Sequence, residues 1–216
     1  MKTVLFDLDG TIIDSALGIT TCTQYALRAF GIEETDLDKL RCFIGPPLME
    51  SFQKYYSFSK EQARAAVEKY RERYHTIGIY ECTLYPDVEI VLKQIREQGY
   101  RLALASSKPE VSCKQILEHF GIDLYFDEIV GATLDGKIDT KIEVLCEVFQ
   151  RLYIADKKEV LLVGDTLFDA KGAKEAGIDC LGVSYGFGTR EELFDHGAVA
   201  VCSSMKEVGD YIVSQF

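Results

Sequence analysis

The sequence predicts an α/β protein, a doubly wound parallel sheet of Rossmann-like type interrupted after its first strand by an inserted all-α domain. Three observations carry this expectation. Short, continuously apolar runs alternate with amphipathic helical patterns; the stretch 15–83 offers helices but no strand; and polar residues gather at the carboxyl ends of the apolar runs. Apolar runs without alternation mark strands covered on both faces, and their alternation with helices selects a parallel sheet.

The first run, 3–9 (TVLFDLD), is β-prone and meets Gly10, so it reads as a buried strand whose last residues include two aspartates. The pattern then changes. Ile19, Cys22, Ala26 and Ala29 form one helical stripe and Ala63, Val67, Tyr70, Tyr74 and Ile77 another, with Pro46 and Pro47 breaking the segment between them. The chain therefore divides into a core, 1–14 and 84–216, and a helical cap, 15–83, hinged near 13–15 and 82–86. Runs 100–106 (YRLALAS), 159–165 (EVLLVGD) and 179–185 (DCLGVSY) are further strands, with weaker ones at 128–132 and 198–202. Helical patterns at 87–98, 109–120, 141–152 and 168–176 separate them. In the third, Ile142, Leu145, Phe149 and Leu152 recur at helical spacing, a stripe that faces a sheet. No internal repeat or low-complexity tract is present.

Composition narrows the function. Of 216 residues, 47% are hydrophobic and 27% charged, enough apolar side chain for a sizeable core. The net charge of -11 argues against nucleic-acid and anionic-membrane partners, because the mean field repels phosphate backbones and lipid headgroups alike. Seven scattered cysteines without a C-x-x-C pair read as reduced thiols rather than zinc ligands. With no signal-like opening and no apolar run long enough to span a bilayer, a cytoplasmic protein is expected.

The polar strand ends carry the chemistry, since open parallel sheets bind ligands at the carboxyl ends of their strands. Asp7 and Asp9 alternate along an extended segment and so point the same way. Two carboxylates this close repel unless a cation or shared proton relieves them. Asp165, ending another run, and Asp169, four residues on, complete an all-oxygen set suited to magnesium. Ser106, with backbone N–H groups near Gly10 and Thr11 and a lesser contribution from Ser107, offers donors to phosphate oxygens; Pro109 marks the start of a helix whose positive end faces the same place, and Lys108 adds charge.

Asp7-Leu8-Asp9-Gly10-Thr11, Ser106 after an apolar strand, Lys141, and Gly164-Asp165-Thr166-Leu167-Phe168-Asp169 resemble, in order, the four motifs of the haloacid dehalogenase-like hydrolase superfamily. The helical insertion, with Phe43-Ile44-Gly45-Pro46-Pro47-Leu48, resembles the cap of its phosphoglycolate phosphatase-like branch. The resemblance implies a magnesium-dependent phosphatase of small phosphorylated metabolites, a monomer or homodimer. Asp7 would be the nucleophile that accepts the phosphoryl group, and Asp9 the general acid and then base. Ser106 would bind the phosphoryl group, Lys141 neutralise it, and Asp165 hold magnesium with support from Asp169. The chain departs from the common pattern in having Ser106-Ser107 for threonine-asparagine and Ile142 for the proline that often follows the third-motif lysine, which leaves Lys137 as a competitor to Lys141.

Asp9 argues against a dehalogenase, which lacks a second aspartate here. A phosphomutase of the β-phosphoglucomutase kind shares the motifs and is the alternative. For the leaving group, Arg41 offers a cation to the second carboxylate of phosphoglycolate, whereas Phe52, Tyr55 and Tyr56 offer stacking surfaces to a nucleoside 5′-monophosphate.

Overall fold

The computed structural model describes residues 1–216 and separates into two compact units, Met1–Ile13 with Leu84–Phe216, and Asp14–Thr83. In chain order the first part runs β1 (Thr3–Phe6), β2 (Ile13–Asp14), α1 (Ala16–Arg28), α2 (Leu48–Tyr56), α3 (Lys60–Tyr74) and β3 (Thr83–Leu84). After re-entry follow α4 (Val88–Glu97), β4 (Arg101–Pro109), α5 (Glu110–Phe120), β5 (Glu128–Ala132), α6 (Lys141–Arg151) and β6 (Val160–Gly164). The chain ends with α7 (Leu167–Ala176), β7 (Asp179–Val183), α8 (Arg190–Asp195), β8 (Ala200–Cys202) and α9 (Met205–Gln215).

In the larger unit a six-stranded sheet has the order β5-β4-β1-β6-β7-β8, and every adjacent pair is parallel. β1 lies at the centre, with Phe6 level with Leu104 on one side and Val163 on the other. The chain builds outward from β1 through β4 to β5, then returns to place β6 on β1's other side, so the order reverses around β1. Such a reversal opens a crevice beyond the strand ends. Alternate strand residues Leu5, Ala103, Ala105, Leu162 and Cys180 are buried in one core cluster with α6, α7 and α8. Val4, Phe6, Leu102, Leu104, Leu161 and Val163, on the opposite face, are no more accessible; α9 packs on β7 and β8, and α4 on α9. The apolar runs are continuous because both faces are covered.

The smaller unit is helical. Ile19, Cys22 and Ala26 are buried on α1 as the stripe requires, but Ala29 lies past the helix end and is exposed, and Thr23 and Leu27 fill the buried face instead. On α3 the stripe Ala63, Val67, Tyr70, Tyr74 is buried, whereas Ile77 lies beyond the C-terminus at 54% exposure. Pro47 is the N-cap of α2, where a missing N–H breaks no intrahelical bond. Arg73 on α3 donates to both carboxylate oxygens of Glu81, at 2.6 and 2.8 Å, and Thr21 on α1 donates to Glu81, which ties the end of this unit to two of its helices.

Three details of the larger unit differ from the sequence expectation and bear on the site. Regular pairing of β1 ends at Phe6 rather than Asp9, although Asp7 N–H still donates to Val163 O at 2.9 Å. The chain turns through Gly10, at φ +78°, a conformation glycine adopts without steric cost. β4 runs on to Pro109, with its register to β5 shifting between Ser106 and Pro109, so Ser107 and Lys108 form a bulge. On α6 the fully buried positions are Val144, Leu145 and Val148, with Lys141 beside them, while Ile142, Phe149 and Leu152 pack only at the margin.

Candidate active site

Asp7 follows β1, Ser106 lies in β4 and Asp165 follows β6, so three strands that touch side by side deliver their polar ends to one place. Two helix starts add to it. Thr140 caps α6, accepting from Glu143 N–H while Glu143 accepts from Thr140 N–H, which fixes Lys141 as the first helical residue. On α7, Asp169 Oδ2 accepts from Thr166 N–H and Thr166 Oγ1, at 3.0 and 2.9 Å.

Lys141 is the hub. Its ammonium lies 2.9 Å from Asp7 Oδ1 and 2.7 Å from Asp169 Oδ1, and it donates to Ala105 O at 2.8 Å. The side chain, 5% exposed, reaches this position past Gly172 on α7, where an added Cβ would stand 2.6 Å from Lys141 Cγ. The competing lysine is elsewhere: Lys137 is 82% exposed and pairs with Asp135.

Ligand oxygens of Asp7, Asp165 and Asp169 lie within 4.8 Å of one another. With one ammonium among three buried carboxylates, negative charge is in excess. Burial pushes the Asp7 carboxyl up to about 6, against the pull of Lys141 and with a further push from Asp169. Burial also raises the Asp165 carboxyl well above the usual range, helped by Asp169 and Asp7. For Lys141 burial disfavours the charge, but Asp169 and Asp7 outweigh it and hold the ammonium above its ordinary value. Asp165 Oδ1 is buried without a hydrogen-bond partner, a condition that costs free energy unless a proton or cation meets it.

These donors fit a hard divalent cation bound through one or two carboxylates. Asp7 and Asp165 are the two that would hold it. Asp169, expected among the ligands, lies in the same cluster; its Oδ2 accepts from Thr166 and its Oδ1 pairs with Lys141, so it also orients the lysine. Asp9, also expected there, stands apart from the cluster. Because the chain has left the strand at Phe6, the carboxylate of Asp9 instead meets Lys108 Nζ, at 2.9 and 2.8 Å from its two oxygens.

Lys108 was legible only as extra charge near the strand end. Its side chain is 8% exposed, re-aimed by the bulge as such irregularities commonly do. Ser106 is buried and accepts from Lys108 N–H at 3.3 Å; Ser107, beside it in the bulge, is half-buried. The N–H groups of Gly10 and Thr11, expected to face phosphate, are spent inside the turn, on Ile13 O and Leu8 O at 2.8 and 3.3 Å. A turn this tight satisfies its own backbone at these two positions, while the Ser106 hydroxyl and the Lys141 and Lys108 ammonium groups lie at the same strand ends and could donate to an anion. Lys108→Ala is expected to lower kcat/KM about 100-fold, with Lys108→Arg recovering part of it; steady-state phosphate release checks this.

In the smaller unit Phe52 is fully buried against Phe43 and Phe58, so it belongs to that unit's core. Tyr55 remains 42% exposed. Arg41 is exposed and lines a cleft of about 530 Å³ together with Leu17, Thr20 and Leu37. No helix is long and apolar enough to cross a membrane.

Residues 4–183 match the family model described as haloacid dehalogenase-like hydrolase. A 5′-nucleotidase of Pseudomonas aeruginosa is 39% identical over 202 residues, covering 94% of this chain and 91% of that protein. A phosphoglycolate phosphatase of Aquifex aeolicus is 32% identical, covering 82% of each. The crystal structure of a predicted phosphatase from Clostridium acetobutylicum superposes with a TM-score of 0.93 at 42% identity, covering 98% of both chains.

Proposed function

Since the chain belongs to the haloacid dehalogenase-like hydrolase family, we propose that it is a magnesium-dependent phosphatase that hydrolyses 5′-nucleotides or similarly small phosphate monoesters through a phosphoryl group carried on Asp7. The observation that carries the reading is the buried constellation at the ends of β1 and β6, in which Lys141 joins Asp7 to Asp169 beside the partnerless oxygen of Asp165. Preference for 5′-nucleotides rests on the extent of likeness to the Pseudomonas nucleotidase, and of Phe52, Tyr55 and Tyr56 it is Tyr55 that is exposed for stacking. Residues 14–83 are assigned as the specificity-setting cap. Seven unbridged cysteines support a reducing, cytoplasmic setting.

A carboxylate attacking a phosphate dianion meets repulsion, so the approach must be screened. Lys141, already 2.9 Å from Asp7 Oδ1, is placed to neutralise the equatorial oxygens, and Ser106 to donate to one of them. A bound magnesium ion would supply further charge stabilisation to the same oxygens. In the first half-reaction an Asp7 oxygen forms a bond to phosphorus, the ester P–O bond breaks, and Asp9 gives its proton to the leaving oxygen. In the second, water attacks phosphorus, Asp9 takes the water's proton, and the P–O bond to Asp7 breaks. Asp9 begins clamped by Lys108. An incoming phosphate monoanion competes for that ammonium and frees the Asp9 carboxylate, which takes up the substrate's proton and then passes it to the leaving oxygen.

The test is a phosphate-release screen with Mg2+ over nucleoside 5′-monophosphates, phosphoglycolate, hexose phosphates and p-nitrophenyl phosphate. Release that stops reversibly on chelation is expected; full activity in excess chelator would refute the metal assignment. If no ester is hydrolysed but β-glucose 1-phosphate is consumed with a bisphosphate primer, the mutase alternative replaces this one. Protons and magnesium compete for Asp7. Below its carboxyl value of about 6, Mg2+ affinity is therefore expected to fall with pH, by about tenfold per pH unit for each proton displaced.

A further inference from the structure

The loop 184–189 (Ser-Tyr-Gly-Phe-Gly-Thr) joins β7 to α8 and carries none of the four motifs. It nevertheless meets two of them. Phe187 N–H donates to Asp165 Oδ2 at 2.7 Å, and Asp165 Oδ1 is the buried oxygen left without a partner. Gly186 and Gly188 hold the loop against the site so closely that no side chain fits: a Cβ on Gly186 would stand 2.3 Å from Gly10 O and 2.4 Å from Asp165 Oδ2, and one on Gly188 2.2 Å from Asp165 O. On the other side, Tyr185 donates its hydroxyl to Thr11 O at 3.0 Å, and its ring rests on Tyr85 with centroids 4.7 Å apart.

We propose that this loop is a positioning element of the metal site, a backbone clamp that fixes the Asp165 carboxylate relative to the Asp7–Thr11 turn and leaves Oδ1 directed to the ion. The physical argument is one of geometry. Asp7 and Asp165 follow adjacent strands, but strand pairing does not orient a carboxylate beyond the strand end. A single charge-assisted N–H donor on one oxygen does, and outer partners of this kind hold metal ligands in their binding orientation. Tyr185 anchors the same loop to the turn that carries the nucleophile, so the two ligand-bearing segments are set by one piece of chain. The inference rests on the magnesium reading above.

The test measures Mg2+ binding itself, by calorimetry and by Mg2+-dependent thermal shift, on wild type, Gly186→Ala and Tyr185→Phe, with circular dichroism as the folding control. Gly186→Ala is expected to raise the Mg2+ dissociation constant at least about tenfold, and Tyr185→Phe about two- to tenfold. A folded Gly186→Ala that binds Mg2+ within twofold of wild type overturns the inference. Should Gly186→Ala not fold, Tyr185→Phe decides, a wild-type dissociation constant in that variant overturning it. A wild type that binds no Mg2+ overturns the metal reading and this inference together, and is distinguished from the other outcomes by the wild-type titration alone.

Discussion

Asp7→Asn is expected to lower phosphate release by about 10⁴-fold or more while leaving the protein folded. The amide is isosteric with the carboxylate but is not a nucleophile towards phosphorus, so no phosphoryl group is carried on the chain. Stability should respond in the opposite sense. Burial raises the Asp7 carboxyl to about 6, above its unfolded value, so Asp7's contribution is fully present below about pH 4 and is lost as pH rises through 6. At pH 7.5, without metal, wild type carries a buried charge that the variant lacks; Lys141 retains Asp169 at 2.7 Å as its partner. The melting temperature of metal-free Asp7→Asn should therefore equal or exceed that of wild type at pH 7.5. Turnover within tenfold of wild type would end the covalent mechanism, whatever the melting curve showed.

What was legible in the sequence follows from which interactions are local. Continuous apolar runs revealed the strands because burial on both faces leaves no polar alternation, and β5 runs over the expected residues, 128–132. The capping pattern at Thr140 and Glu143 marks the start of α6 and so the position of Lys141. Hydrophobicity alone gave the wrong rotation for that helix. Ile142 and Phe149 outrank their neighbours as apolar residues, yet the helix turns Lys141, Val144 and Val148 inward. Lys141 must reach Asp7 and Asp169, and its first-turn position therefore helps set the helix's rotation.

The unread parts depend on contacts between distant segments. A bulge in β4 aims Lys108 at Asp9 across 99 residues of sequence, and nothing in the order of residues near Ser106 announces a bulge. The same holds for loop 184–189, whose only local signal is the spacing of Gly186 and Gly188. Gly10 and Thr11 show the converse error. Motif spacing placed them correctly, but the turn consumed the N–H groups that were expected to face phosphate.

Lys141→Met should remove both activity and stability, and the pH dependence of the stability loss separates the electrostatic account from simple packing. Methionine keeps an unbranched stem beside Gly172 and removes the ammonium. Activity is expected to fall about 10³-fold or more, as for loss of a preorganised charge at the reacting oxygens. Removing one partner from a buried ion cluster leaves charges uncompensated, at a cost of about 3–5 kcal/mol near neutral pH. In wild type the raised Lys141 value means that its contribution is complete below about pH 10 and is lost only as pH rises above that, so it is constant from pH 5 to 8. In the variant Asp7, Asp165 and Asp169 are left together without a cation, and the carboxyls of Asp7 and Asp165, which burial already raises, lie above their unfolded values. The variant's stability is therefore present at low pH and lost as pH rises. The gap to wild type in denaturant unfolding should be narrow at pH 5 and widen towards pH 8, and saturating Mg2+ should narrow it again at pH 8 by returning positive charge to Asp7 and Asp165. A gap that is the same at both pH values would mean that the lysine's stem, and not its charge, holds the cluster together.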